Sequence, residues 1–317
     1  MEFRVDPIRL EDIDLSDTFF RITTPQDKPP IAESVSRLGL ICPVAVKQTH
    51  DQFVVVSGFR RVDACRQNNR SRIPCRIIPD TISTVTCAEM AITDNLTQRS
   101  LNFVEQARCI ELLTTATGAI SSARRVAERL GLAFNRALVD KLKTISCAPQ
   151  IVQDGLIKGT LSLPVVLAMS DLPEEDVRTL AQLFEMVPMG LNKQREIFLN
   201  LKEIAIREDM TIRQILEGDS LKDILLDDTS DGNQKAFQIR QYLKKRRFPR
   251  IVETEEAFKN CVRGLELGGE IQVAPPPGFE GSVCTMTIRF NNLESLKRAH
   301  HNITSAIKNP LIENLFD

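Results

Sequence analysis

FVVVSGFRRVDACRQ, residues 53–67, decides the fold of the first part of this 317-residue chain. The valine-rich residues 53–56 predict a buried strand, and Ser57-Gly58 follows them as a turn. The segment from Arg61 to Asn68 has the apolar spacing of a helix. A strand that passes through a glycine turn into a helix is typical of a small α/β domain.

The turn at Gly58 also has the composition of an anion site. A glycine lets backbone N–H groups approach a ligand closely, and the helix after it has a positive N-terminus. Arg60 and Arg61 add guanidinium groups that can bind phosphate with two hydrogen bonds each. We therefore predict a phosphate site at Ser57, Gly58, Arg60 and Arg61. The alternative is a surface turn whose arginines are only solvated, and the absence of a Walker A motif excludes a P-loop.

Further short elements complete this domain, which we predict to span residues 1–86. Residues 43–47 and 74–78 are rich in valine and isoleucine and predict two more strands. Residues 48–52 form a polar connection between the first of these strands and residues 53–56. Residues 31–38 have helical spacing, and Gly39 is placed to end that helix.

Asp94 and Asn95 follow this domain in the stretch TDNLTQR, residues 93–99. Carboxylate and amide oxygens suit Mg²⁺, which usually takes one or two carboxylates together with phosphate oxygens. These two residues are therefore predicted metal ligands. The alternative is that one of them caps the end of a helix.

Residues 87–224 predict an all-helical middle domain, punctuated by prolines. Within it, residues 121–145 have the spacing of a helix-turn-helix with Gly131 in the turn. The second helix would present Asn135, Arg136, Lys141 and Lys143 to DNA, because such side chains contact base edges and phosphates. A plain helical hairpin in a bundle fits the same spacing.

The last region, residues 235–317, predicts a small α/β domain. Two helices flank Phe248-Pro249, strands are expected at residues 270–273 and 282–290, and a final helix covers 293–307. Residues 240–250 include six basic residues, which either contact phosphate or form a solvated helix face. The whole chain is thus predicted to be an α+β multidomain protein.

Composition limits the classes of function. The formal net charge is -1, so polyanion binding would need local basic patches. The chain has no Trp and one Tyr, which argues against stacking on bases. No CxxC pair or Cys/His cluster has zinc spacing, and no apolar run reaches the ~20 residues of a membrane span. We expect a cytoplasmic protein with no membrane association.

The order of these pieces resembles the ParB family of chromosome- and plasmid-partition proteins. The resemblance rests on Gly58-x-Arg60-Arg61, on Asp94-Asn95-Leu96, on a third motif, Leu101-Asn102-x-x-Glu105, and on the helix-turn-helix that follows them. It extends from about residue 31 to about residue 172, and family members have Glu at the place of Phe59. The resemblance implies a ParB/sulfiredoxin-like N-terminal domain.

The same resemblance implies a function. Gly58, Arg60 and Arg61 would bind the triphosphate of CTP, Asp94 and Asn95 would hold Mg²⁺, and a homodimer would close around DNA at the nucleoid. The chain would act in partition or in transcriptional regulation, and weak CTP hydrolysis stays open, with its catalytic residues unknown. The alternatives are a nucleotide-dependent phosphotransferase or nuclease on the same scaffold, and an adaptor that has lost nucleotide binding.

Overall fold

A computed structural model describes residues 3–24, 31–49, 52–279, 281 and 283–315 of the chain. Contacts divide the chain into two compact units, residues 1–194 and residues 195–317. Each unit is described by itself. The division into three domains at residues 1–86, 87–224 and 235–317 stays a prediction.

The first unit begins with a five-stranded mixed sheet in the order β1-β5-β3-β4-β2. In the centre of the sheet, β3 pairs with β4 antiparallel and with β5 parallel. At the two edges, β1 pairs with β5 antiparallel and β2 pairs with β4 parallel. The strands and helices of this part are β1 (Val5–Arg9), β2 (Ile13–Asp14), α1 (Ile31–Leu38), β3 (Val44–Thr49), β4 (Gln52–Ser57), α2 (Phe59–Gln67) and β5 (Arg72–Ile78). The predicted α/β composition is confirmed. β1 and β2 were not predicted, because β1 contains Pro7 and β2 has two residues.

The sequence signals of this region fit the local structure. α1 has the predicted bounds and ends at Gly39, which has a φ of 73° and whose N–H bonds to the carbonyl of Val35. α2 begins two residues earlier than predicted, directly after Gly58. The predicted connection at residues 48–52 includes residues 50 and 51, which lie outside the described residues.

Helices follow the sheet, as predicted. They are α3 (Thr84–Leu96), α4 (Phe103–Thr117), α5 (Ile120–Arg129), α6 (Arg136–Cys147), α7 (Gln150–Lys158), α8 (Leu163–Met169), α9 (Glu174–Met186) and α10 (Leu191–Glu208). Buried residues of α3, α4 and α5 belong to the same hydrophobic core as the sheet. This shared core fixes α3, and with it Asp94 and Asn95, against β4 and α2.

The second unit continues with helices and ends in a two-stranded antiparallel sheet of β6 and β7. Its elements are α11 (Ile212–Leu216), α12 (Asp219–Leu226), α13 (Gly232–Arg247), α14 (Pro249–Gly264), β6 (Ile271–Ala274), β7 (Thr285–Ile288) and α15 (Leu293–Ile307). α15 has the predicted bounds, and Pro249 begins α14 as a first helical residue should. β7 is shorter than the predicted strand, whose residue 282 lies outside the described residues. No helix in the described part of the chain is both long and apolar enough to cross a bilayer.

Candidate functional site

The turn between β4 and α2 places Gly58 in a conformation that favours glycine. Its φ is 100° and its ψ is 23°, and it stands at the N-cap of α2. The N–H groups of Arg61 and Val62 bond to its carbonyl at 2.8 and 3.0 Å and start the helix. A Cβ on residue 58 would lie 3.0 Å from Nε of Arg61. The glycine therefore allows both the turn and the close passage of an arginine side chain.

Arg61 is held by the protein itself. Its Nη1 donates to the carbonyl oxygens of Cys42 and Pro43 at 3.1 and 2.7 Å, and its Nη2 donates to Oδ2 of Asp94 at 2.8 Å. The side chain is 17% exposed. Arg61 thus joins α2 to the residues before β3 and to α3, and most of its hydrogen-bonding capacity is used inside the fold.

Asp94 accepts hydrogen bonds from three side chains. Ser57 Oγ and Arg61 Nη2 donate to Oδ2, and Gln98 Nε2 donates to Oδ1 at 3.0 Å. Asn95 uses its amide nitrogen on the carbonyl of Ala91 at 2.8 Å, so its Oδ1 is the oxygen left for a ligand. A carboxylate has about four acceptor positions, which leaves room for a further partner on Asp94. The described residues contain no cluster of three metal-binding side chains.

Arg60 has different surroundings from Arg61. It lies in the first turn of α2 and is partly buried, and within the described residues it has no hydrogen bond or salt bridge from its side chain. It lines a cavity of about 380 Å³ together with Gly58, Asp94, Asn95 and Gln98. The N–H groups of a helix's first turn have no partner within the helix. Arg60 and this helix end are therefore the groups best placed to receive an anion.

Apolar residues also line this cavity. Phe59 is 8% exposed and packs in the hydrophobic core. The guanidinium carbon of Arg21 lies 5.5 Å from the centre of its ring, and Arg21 also pairs with Asp63 at 2.8 Å. Phe59 therefore has a packing role, and the other apolar residues that line the cavity are Phe20, Ile22, Ile31, Val35, Leu40, Ile41 and Val56.

The predicted DNA-binding residues lie at the start and along the surface of α6. Asn135 is its N-cap, and its Oδ1 accepts from the N–H of Leu138 at 2.8 Å, so its amide nitrogen is the group left for DNA. At about 100° per residue, Arg136 and Lys143 lie within about 20° of each other around the helix, and Lys141 lies about 160° from Lys143. All four residues are exposed. Arg136 and Lys143 therefore share one face, and Lys141 does not.

The residues between α5 and α6 form a turn with apolar, partly buried side chains. Gly131 has a φ of 74°, and the N–H of Leu132 bonds to the carbonyl of Ala127 at 2.9 Å. Leu132 and Phe134 are partly buried against the core. These apolar residues belong to the turn before α6, which begins only at Arg136. The assignment of α5 and α6 as a DNA-reading helix-turn-helix stays a prediction.

The basic stretch at residues 240–250 is largely neutralised within the second unit. Four of its side chains pair with carboxylates at 2.5–2.8 Å. The pairs are Arg240–Glu196, Lys244–Glu255, Arg246–Glu208 and Arg247–Glu203. This pairing favours the second of the two predicted roles, a helix face balanced by acidic neighbours.

Comparison with known proteins places the N-terminal part in a family. Residues 5–96 match the ParB N-terminal domain. The probable chromosome-partitioning proteins ParB of Neisseria meningitidis strains Z2491 and MC58 are each 28% identical over 153 residues, 48% of this chain and 51% of the relative. The chain thus spans about half the length of these relatives.

Solved structures similar to this chain include two of C-terminally truncated ParB from Caulobacter crescentus. The one complexed to the centromeric parS site is 18% identical and covers 60% of this chain and 96% of its own, with a TM-score of 0.34. The one complexed with CTP-gamma-S is 19% identical and covers 57% of this chain and 99% of its own, with a TM-score of 0.27. Residues 5–96 of the chain thus form a ParB N-terminal domain.

Proposed function

We propose that this chain is a ParB-type partition protein that binds CTP at the β4–α2 turn and binds DNA through α5 and α6. The observation that carries the nucleotide part is Arg60, a partly buried arginine whose side chain has no partner in the described residues and which lines a cavity at a helix N-terminus. A cation in such a place attracts a polyphosphate strongly. The cavity of about 380 Å³ lies within the range of ligand sites.

The two arginines of the turn have different parts in this proposal. Arg60 binds the phosphates directly. Arg61 positions the turn, because it joins Gly58 and α2 to the residues before β3 and to Asp94. Ser57 contributes through the same network, since its hydroxyl donates to Asp94.

Magnesium would enter with the triphosphate. Asp94 has acceptor capacity beyond its three present donors, and Asn95 has a free Oδ1, so these two residues fit the oxygen preference of Mg²⁺. The ion would neutralise phosphate charge beside the Arg61–Asp94 pair. A catalytic base for hydrolysis is not part of the proposal.

The proposal includes a homodimer formed through the second unit. All four residues of β7 are exposed, and β7 has β6 on one side and no strand on the other among the described residues. Met286 and Ile288 lie opposite Val273 and Ile271, which belong to the core face of the sheet, yet they are 39% and 38% exposed. An antiparallel β7–β7 contact between two copies would pair the backbone groups of this edge and place the two apolar rows side by side.

Calorimetric titration with CTP in Mg²⁺, with ATP and GTP as competitors for specificity, tests the nucleotide part. We expect Arg60→Ala to weaken CTP binding about 10- to 100-fold, the effect of losing a charge-assisted hydrogen-bond pair, with no loss of thermal stability. Arg61→Ala should weaken binding and also destabilise the fold. Arg9→Ala is the matched control, because β1 lies at the other end of the sheet from β2 and β4. A wild-type chain that binds no nucleotide, or an Arg60→Ala variant that binds CTP normally, contradicts the proposal.

A further inference from the structure

Residues 66–72, RQNNRSR, form a strongly basic segment at the far end of α2 from the cavity. They close α2, turn, and enter β5. The turn is tight, with the N–H of Asn69 on the carbonyl of Arg66 and the N–H of Arg70 on the carbonyl of Cys65, both at 3.0 Å. Asn69 has a φ of 53°. The segment therefore presents its arginines from an ordered turn.

A fourth arginine joins them from α1. The side chain of Asn68 donates to the carbonyl of Ala32 at 2.7 Å, and Arg70 reaches the carbonyl of Ser36 at 3.5 Å. These contacts bring the end of α1 beside the turn, so that Arg37, which follows Ser36, lies next to it. We call Arg37, Arg66, Arg70 and Arg72 the arginine patch; all four are exposed.

The charge of the arginine patch is not cancelled locally. None of its four guanidinium groups makes a salt bridge with a described residue, whereas many other arginines of the chain do. Of the nearby carboxylates, Asp63 pairs with Arg21, and Glu11 pairs with Arg9, which lies opposite Arg72 in the sheet. Stabilisation of a helix C-terminus accounts for Arg66 at the end of α2 and for Arg37 at the end of α1, but not for Arg70 and Arg72.

We propose that the arginine patch binds the phosphate backbone of duplex DNA. Guanidinium groups bind phosphate with paired hydrogen bonds, and amide and hydroxyl side chains such as Gln67, Asn69 and Ser71 commonly add backbone contacts. No aromatic side chain lies in residues 66–72, so the segment suits phosphates rather than stacked bases.

The patch is distinct from the nucleotide cavity. α2 has nine residues, a length of about 13 Å, and the cavity lies at its other end. The proposal rests on the proposed DNA-binding function and adds a second contact surface to α5 and α6. It makes the affinity for DNA depend on the N-terminal domain, independently of sequence.

The test is the salt dependence of binding to a fixed DNA duplex by the full chain. The patch variant is Arg66→Gln/Arg70→Gln/Arg72→Gln. The control, Arg178→Gln/Arg213→Gln/Arg298→Gln, changes the net charge equally at exposed arginines that pair with carboxylates elsewhere. The plot of log K against log salt concentration falls with a slope of about −0.9 for each phosphate contact. Because the patch variant lacks three arginines, we expect the magnitude of its slope to be smaller than that of the wild type by about 2 to 3.

A second measurement reads the contact directly. Modification of arginines by phenylglyoxal, mapped by mass spectrometry on the wild-type chain, should be slower at Arg37 and Arg70 when the duplex is bound. A patch variant with the slope and affinity of the control overturns the inference, and an acidic protein would then be the better partner for the patch. If the wild-type chain itself binds no DNA, the proposed DNA-binding function fails together with the patch. If the wild-type chain binds DNA and only the patch variant behaves like the control, the patch alone fails.

Discussion

Arg60 and Arg61 are neighbours in the chain but differ in what holds them. The guanidinium of Arg61 is bound to two backbone carbonyls and to Asp94, whereas the side chain of Arg60 has no partner among the described residues. A charge that is already paired gains less from a ligand than one that is not. The anion in the proposed site therefore gains most from Arg60 and depends on Arg61 for the shape of the turn.

Gly58→Ala should damage both the fold and the site. A residue with a side chain pays about 1–2 kcal/mol in the left-handed region, and the new Cβ would press on Arg61 at 3.0 Å. We expect a loss of that size in the free energy of unfolding, measured by urea denaturation, together with weaker CTP binding.

Gly118→Ala is the matched control for this substitution. Gly118 has a φ of 70°, but a Cβ there would meet nothing within 4 Å. It should show the backbone cost alone and keep normal CTP binding. Equal CTP affinity in the two variants would show that Arg61 is not displaced.

The sequence predicts which residues of the β4–α2 turn belong to the proposed site, but it does not predict their hydrogen-bond partners. Ser57, Gly58, Arg60 and Arg61 are consecutive or nearly so, and a local pattern can reveal them. The difference between the two arginines depends on the carbonyls of residues 42 and 43 and on Asp94, which is 33 residues from Arg61. Such a pairing is set by how α3 packs on β4, which no local pattern encodes.

At the scale of elements, the start of α4 connects three segments of the first unit. Asn102 and Glu105 form a capping box, in which each side chain accepts a hydrogen bond from the backbone N–H of the other residue. Glu105 is also fully buried, pairs with Arg99 at 2.6 Å, and accepts from the N–H of Thr24 at 3.0 Å. The capping box joins residues three apart, whereas the bond to Thr24 joins residues 81 apart, which no local pattern can reveal.

These bonds lower the pKa of Glu105. Burial alone would raise it, but the hydrogen bonds from Arg99 and from the N–H groups of Thr24 and Asn102 outweigh burial, so the net shift from the ordinary value of 4.5 is downward. A carboxyl with a lowered pKa in the folded state stabilises the fold above its unfolded pKa. That contribution is lost as the pH falls through the folded pKa.

Glu105→Gln should therefore lower the free energy of unfolding at pH 7 by about 2–3 kcal/mol. The free energy of unfolding of this variant should also fall less steeply than that of the wild type as the pH is lowered. Urea denaturation between pH 7 and pH 3 measures both effects. Glu128→Gln, which breaks an exposed i,i+4 pair with Arg124, is the control and should cost less than about 1 kcal/mol. A Glu105→Gln variant whose stability falls with acid as steeply as that of the wild type would contradict this account.

At the scale of the whole molecule, the sequence predicts the bounds of single helices better than it predicts the limits of domains. The bounds of α1 and α15 were predicted correctly, because the apolar spacing and the end signals of an amphipathic helix are local features of the sequence. Domain limits depend on which helices share a core. α3, α4 and α5 pack into the core of the sheet, and composition shows only that the texture changes near residue 86.

The proposed dimer depends on a feature of the second unit, the side of β7 with which no described strand pairs. A two-stranded sheet gains stability when a further strand pairs with its edge. Met286 and Ile288 lie on the face that Ile271 and Val273 share with the core, and Thr287 points to the other face. A second copy of β7 in antiparallel pairing would meet the first with the same residues, which is the self-complementarity that a two-fold dimer requires.

Ile288→Lys should convert the proposed dimer to a monomer, because a lysine in the apolar row would lie close to the same charge in the partner copy. Thr287→Lys places an equal charge on the opposite face of the same strand and should leave the dimer intact. Analytical ultracentrifugation across a concentration series separates the two states, and circular dichroism confirms that both variants are folded. A wild-type chain that stays monomeric would contradict the proposed dimer, and an Ile288→Lys variant that stays dimeric while folded would place the dimer contact away from β7.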